Sequence, residues 1–186
     1  MGKPLQDLEL KLVDPKTGAE VKRGEVGVLY SRGLGALRGY WNNSEATEEA
    51  FLDYEWATVG DMARQDKEGY FYIVDRLKDM IITGGVNVYP VEIEGVLRGF
   101  DKLQDFAVIG VPDKKWGEAV KVVVVPKLGV NVTEEEVIEF CKDKMAGFKV
   151  PKSVDFVDVI PRSLTGKILK KDLRKKYWED DGIQVS

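Results

Sequence analysis

Histidine is absent from this chain of 186 residues, and cysteine occurs once, at Cys141. The first absence removes the imidazole base of a Ser-His-Asp triad, and every His-ligated metal site, from the chemistry open to these residues. The second leaves no internal disulfide and no CxxC pair, a pattern expected of a protein kept in the reducing cytoplasm. No stretch approaches the ~18 consecutive apolar residues of a membrane-spanning helix. Residues 1–18 are charged from Lys3 onward and lack the apolar centre of a secretion signal. An excess of positive charge is missing too: the net charge is −4, which argues against general nucleic-acid binding. What is present is a hydrophobic share of 44%, enough for a packed core and too much for disorder. The length suits one ordinary domain or two small ones.

The first third reads as β. Leu8, Leu10 and Leu12 alternate with charged residues, Asp14-Pro15-Lys16-Thr17-Gly18 is a turn, and Val26, Val28 and Tyr30 mark a second strand. Ser44 is placed as the cap of a short helix over 45–51. A hairpin runs in from Asp61 to Gln65, turns at 66–69 and runs out from Tyr70 to Asp75. Beyond it, helical and extended patterns are mixed. Met80 to Ile82 is a short strand broken by Thr83-Gly84-Gly85, and Pro90 suits the first turn of a helix ending near Leu97. Residues 103–111 and 119–126 are Val-rich strands. Thr133 with Glu136 forms a capping box that opens a helix over 134–145. Val154 to Val159 is a further strand, and 168–178 a basic helix. The mixture predicts an α+β fold with an antiparallel sheet and flanking helices. Cys141 is placed on one helix face with Val137 and Met145. Residues 161–178 gather Arg162, Lys167, Lys170, Lys171, Arg174, Lys175 and Lys176 against one acid, Asp172. Two readings stay open there, a site that draws phosphate and a solvated helix face.

Four groups of residues carry chemistry. In Trp56-Ala57-Thr58-Val59-Gly60-Asp61, the acidic side chain leaves a glycine at a strand start and can accept both hydroxyls of a ribose. In the run from Asp75 to Glu94, Gly84-Gly85 lets backbone approach a ligand closely. Phe148-Lys149-Val150-Pro151-Lys152 sets an aromatic ring among cations. Pro161-Arg162-Ser163-Leu164-Thr165-Gly166-Lys167 ends on a lysine beside a glycine. It is not a Walker loop, because the first glycine is missing and Ile168 stands where that loop needs Ser or Thr.

Taken together and in this order, these segments resemble the C-terminal portion of the adenylate-forming superfamily, within it the acyl-CoA synthetases (fatty-acid–CoA ligases). The run Asp75-Arg76-Leu77-Lys78-Asp79-Met80-Ile81-Ile82-Thr83-Gly84-Gly85 looks like the superfamily's hinge and glycine loop, and Leu164-Thr165-Gly166-Lys167 like its C-terminal signature. The resemblance covers essentially the whole chain. It implies a β-rich end of the large adenylation domain over 1–76 and a mobile lid domain over 77–186. It implies that Asp61 holds the ribose of ATP or AMP, that Arg76 contacts the ribose or phosphate region, and that Lys78 is the hinge. Lys167 is then the adenylation lysine, neutralising the approach of a carboxylate to the α-phosphate. Gly84, Gly85, Phe148 and Lys152 fall on the CoA side, with Phe148 against adenine and Lys152 against a phosphate. The implied substrates are a carboxylic acid, ATP and CoA, with Mg²⁺ held mainly by residues upstream of this chain. The phosphate-gripping loop of whole ligases also lies upstream, so the chain alone is expected to be inactive. Its exposed surface is expected to self-associate. Two departures stand out: Val59 replaces the Thr that many relatives carry before Gly-Asp, and Asp75 replaces a Gly before the hinge arginine. The stretch Pro112-Asp113-Lys114-Lys115-Trp116-Gly117-Glu118 looks like that of medium- and long-chain fatty-acid ligases. An acyl-AMP ligase, a peptide-synthetase adenylation domain and a non-catalytic binding module remain alternatives.

Overall fold

The structure, a computed structural model, describes residues 2–180. The chain divides into two units, one ending at Lys78 and one beginning at Asp79. No helix among the described residues is long and apolar enough to cross a membrane.

In the first unit, β1 (Leu8–Val13) and β2 (Val26–Gly33) pair antiparallel, with Leu10 opposite Ser31. The turn after β1 is held by Asp14, whose Oδ1 accepts the N–H groups of Lys16 and Thr17 at 2.7 and 2.9 Å. Helix α1 (Ser44–Glu49) is capped by Asn43 and not by Ser44. The Asn43 Oδ1 reaches the Ala46 N–H at 3.0 Å, which makes Ser44 the first helical residue. Two strands of two residues follow, β3 (Phe51–Leu52) and β4 (Trp56–Ala57). They are too short to leave an alternating pattern. The β5 (Asp61–Gln65) and β6 (Phe71–Arg76) hairpin closes on Asp66, which accepts the N–H groups of Glu68 and Tyr70 at 2.9 Å each. The sheet order is β3-β4-β2-β5-β6, with β1 also on β2. Leu12, Ala63 and Phe71 bury its small core. Leu34, Trp41 and Tyr54 stay almost fully exposed.

The second unit opens with β7 (Ile81–Thr83) and β8 (Val86–Val88), a hairpin where the sequence reading has one strand and a break. Helix α2 (Pro90–Leu97) starts on its proline, whose missing N–H costs nothing at that position. Two long strands, β9 (Leu103–Asp113) and β10 (Gly117–Pro126), form an antiparallel ladder. Helix α3 (Glu134–Lys142) opens with the complete Thr133/Glu136 capping box and ends three residues short of the expected 145. Strand β11 (Ser153–Phe156) joins β10 in parallel, so the sheet is antiparallel except at that pair. Its pairing with Lys121 to Val124 ends at Phe156, which leaves Val159 exposed outside it. Helix α4 (Lys170–Asp180) closes the unit.

Both faces of the β9–β10 ladder are covered, which is why those strands read as continuous apolar runs. Val108, Val120, Val122 and Val124 face α2 and α3, and Cys141 packs there with Val137 and Met145. Ala107, Ile109, Val111, Ala119 and Val123 face Leu173 and Tyr177 of α4. Burial pushes the Cys141 thiol up to about 11, so it is a packing group at neutral pH.

Candidate active site

The first unit offers an acid and a base side by side. Asp61 opens β5 and Arg76 closes β6 in direct register. The Arg76 Nε stands 3.5 Å from Asp61 Oδ1, with the Asp61 side chain 27% and the Arg76 side chain 49% exposed. An ion pair this open is worth at most ~1 kcal/mol, so both groups are able to turn toward a ligand. The backbone beside them is fixed more firmly. Gly60, at φ +80°, accepts the Leu77 N–H at 2.8 Å and donates its own to Thr58 Oγ1 at 3.0 Å. The Thr58 hydroxyl donates in turn to the Leu29 carbonyl at 2.7 Å. The hydroxyl that pins this corner therefore comes from position 58, while Val59 is exposed. Lys78 is exposed in a single 3₁₀ turn, Leu77–Asp79, and is the last residue of the first unit.

In the second unit, Gly84 and Gly85 form the two-residue tip of the β7–β8 hairpin. Their φ values of +56° and +81° are those of a type I′ turn, which favours glycine at both positions. The tip lies against Trp116: the Gly84 N–H donates to its carbonyl at 2.8 Å, and a Cβ on Gly84 would stand 2.9 Å from its ring. Trp116 is held by the β9–β10 turn, in which Asp113 Oδ1 accepts the N–H groups of Lys115 and Trp116 at 2.9 and 2.8 Å.

Lys167 lies at the other end of the same ladder. Arg162 donates from Nη2 to both oxygens of Asp105 at 2.8 Å and from Nη1 to the Gly166 carbonyl at 2.8 Å. Within the loop, the Ser163 N–H donates to the Lys167 carbonyl at 2.8 Å and the Lys167 N–H to Ser163 Oγ at 3.2 Å. The loop is a hydrogen-bonded turn anchored to β9, with the Lys167 side chain exposed and paired with no carboxylate among the described residues. Asp105 and Asp113 are eight positions apart on one strand. At 3.2–3.4 Å per residue that places the strand positions that anchor the lysine loop and hold the turn under the glycine tip roughly 26 Å apart. Phe148 and Lys152 lie on the segment leading into β11, and Lys152 meets β10 between those ends. Phe148 is partly exposed, and the Lys152 N–H donates to the Val120 carbonyl at 2.8 Å. Between them Lys149 pairs with Glu92 of α2.

Much of the basic run toward the C-terminus is consumed internally, which decides against a phosphate-drawing role for those cations. Lys170 pairs with Glu94 at 2.7 Å, and Arg174 with Asp79 at 3.4 Å. Lys176 reaches Asp155 at 3.0 Å, where Lys121 also binds at 2.6 Å and the Tyr177 hydroxyl donates. Burial pushes the Asp155 carboxyl up, but the hydrogen bonds from Lys121, Tyr177 and Lys176 outweigh it and hold the group well below the usual carboxylate range. Asp79, Glu94 and Asp155 were not singled out in the sequence. The signal available was the four-residue spacing of Lys170, Arg174 and Trp178, which puts three polar tips on one helix side. Among the described residues no group of three or more Asp, Glu, Cys or His side chains is placed to hold a metal ion.

Residues 92–167 match the family described as AMP-binding enzyme C-terminal domain. A feruloyl-CoA synthase from an Amycolatopsis species is 44% identical over 95% of this chain and 35% of its own length. The long-chain-fatty-acid–CoA ligase FadD13 of Mycobacterium tuberculosis is 48% identical over 83% of this chain and 32% of its own length. The crystal structure of ATP-bound MatB from Rhodopseudomonas palustris superposes with a TM-score of 0.86 at 39% identity, covering 95% of this chain and 35% of that one. The chain thus spans about a third of the length of the relatives it matches. Residues 92–167 carry the AMP-binding enzyme C-terminal domain, and the chain is similar along most of its length to the corresponding part of these longer enzymes.

Proposed function

We propose that this chain is the C-terminal part of an ATP-dependent carboxylate–CoA ligase, which joins an acid to ATP with release of pyrophosphate and then passes the acyl group to the thiol of CoA, releasing AMP. The observation that carries the proposal is Lys167: an exposed ammonium with no carboxylate partner among the described residues, on a loop fixed by Arg162 and Ser163. Such a group lowers the repulsion between a carboxylate and the α-phosphate and does so with little reorganisation of its own loop. Residues 1–76 are read as the end of the large domain and 77–186 as its lid. Asp61 takes the ribose hydroxyls, and Arg76 the ribose or phosphate region. Lys78 is the pivot.

The separation of roughly 26 Å along one strand supports alternating use of the two ends of the lid, because groups that far apart cannot serve one reacting centre in a single placement. One placement brings in Lys167 for adenylation. The other presents the Gly84-Gly85 tip, with Phe148 and Lys152, to CoA. Mg²⁺ would accompany ATP, with its ligands mainly in the part of the ligase that this chain does not span. The exposed Leu34, Trp41 and Tyr54 would pack against the rest of the ligase, or against a second copy when that is missing.

For the acid we favour a medium- or long-chain fatty acid, on the 48% identity to FadD13. The feruloyl-CoA synthase at 44% keeps aromatic acids beside it. The full-length ligase should form AMP and pyrophosphate in step with acyl-CoA when given ATP, CoA and either dodecanoate or ferulate. Preference for dodecanoate supports the fatty-acid assignment. No AMP with any acid in a panel of fatty and aromatic acids would contradict the ligase reading.

A further inference from the structure

Helix α4 carries a stripe that the reaction above does not use. Lys170, Arg174 and Trp178 recur every four residues and so project from one side of the helix. Each meets a different element of the second unit: Lys170 meets Glu94 of α2, Arg174 meets Asp79, and Trp178 Nε1 donates to the Gly110 carbonyl of β9 at 3.2 Å. Arg174 stands among pieces that matter to the chemistry. Its side chain is 12% exposed and that of Asp79 14%. Asp79 directly follows Lys78 and is the first residue of the second unit. The charge of Arg174 also reaches Glu118, whose carboxyl is pushed up by burial and drawn back by the Ile82 N–H and by Arg174. Glu118 Oε2 accepts that Ile82 N–H at 3.0 Å, on the strand that runs into Gly84. Helix α4 itself follows directly on the Lys167 loop, whose base is closed by the Leu169 N–H donating to the Pro161 carbonyl at 2.9 Å.

We propose that Arg174 is a positioning residue of the ligase reaction: through Asp79 it ties the first residue after the hinge to the helix behind Lys167, so that the lid turns about Lys78 as one body. The inference rests on the reading under Proposed function and deepens it. A rotation produced at one backbone position places a distant group accurately only if nothing between them yields. A planar guanidinium is the better group for this largely buried pair, because it is more weakly hydrated and more rigid than an ammonium. Removing the Arg174 charge leaves the Asp79 carboxylate largely desolvated without this cation.

The test uses the full-length ligase carrying Arg174→Gln, Asp79→Asn or Arg174→Lys, with Asp155→Asn as a control that loosens α4 at a different anchor. We expect Arg174→Gln and Asp79→Asn each to lower overall kcat by about tenfold or more, with KM for ATP and for the acid unchanged within about twofold. Arg174→Lys should recover part of the loss. Asp155→Asn should lower the melting temperature as much, with kcat retained. The proposal is overturned if the Arg174 and Asp79 variants keep kcat within about twofold, or if kcat falls in step with melting temperature across all four variants. Lys167→Ala measured alongside separates the two layers. Loss of adenylation there with silent Arg174 variants ends this inference alone, whereas a parent without ligase activity ends the reading beneath it.

Discussion

At the scale of single residues, some cations toward the C-terminus are used up by carboxylates, while others among the described residues, Lys167 and Lys171 included, are not. Lys121, Lys170, Arg174 and Lys176 all face carboxylates inside the second unit, while Lys167 faces solvent. Position in the sequence could not make that distinction, since Lys167 and Lys170 sit three apart in the same basic run. Only the fold brings Glu94 and Asp155 to one group and withholds an acid from the other. Asp155 gives the distinction a pH signature. Its carboxyl is held low in the folded state by Lys121, Tyr177 and Lys176, so its ionised form stabilises the fold at neutral pH. That contribution is full above the unfolded carboxylate value of about 4 and is lost as pH falls toward the lower folded value. Asp155→Asn should therefore lower the melting temperature at pH 7, and the gap from wild type should narrow in melts taken below about pH 4. A gap that widened on acidification would show that the anchor is not ionic.

At the scale of elements, legibility followed length and periodicity. Helix α2 could be placed from Pro90, and α3 from its capping box, because both signals are local. The β9–β10 ladder was visible as Val-rich runs, since burial on both faces removes polar residues from both. Strands β3 and β4 were invisible because two residues carry no period. Strand β8 was missed because Gly84-Gly85 was read as a break when it is the tip of a tight hairpin. The order of the four motifs was legible, but the separation of the lysine loop from the glycine tip was not. It comes from tertiary ties, Arg162 to Asp105 at one end and Gly84 to Trp116 at the other. The hairpin tip also yields a prediction. Gly84→Ala puts an L-residue at φ +56° with its Cβ 2.9 Å from the Trp116 ring. Strain at a left-handed position costs about 1–2 kcal/mol, and the close contact adds to it. Chemical denaturation should read at least that loss for the second unit. A variant as stable as wild type would mean that the hairpin does not hold the type I′ conformation.

At the scale of the whole molecule, the chain corresponds to about a third of each relative's length. We assign the remaining parts of the adenylation site to the other two thirds, so the 186-residue chain by itself should turn over no ATP in the presence of dodecanoate and CoA. AMP release by the purified chain would show that the site is complete within it. The central claim concerns which step the Lys167 ammonium serves, and separating the half-reactions of the full-length ligase tests it directly. Lys167→Ala should lower acyl-adenylate formation from ATP and acid by ~100-fold or more, the scale of a lost electrostatic stabiliser. Attack of CoA on supplied acyl-adenylate should stay within a few-fold of wild type. Equal losses in both half-reactions, or none in the first, would contradict the account.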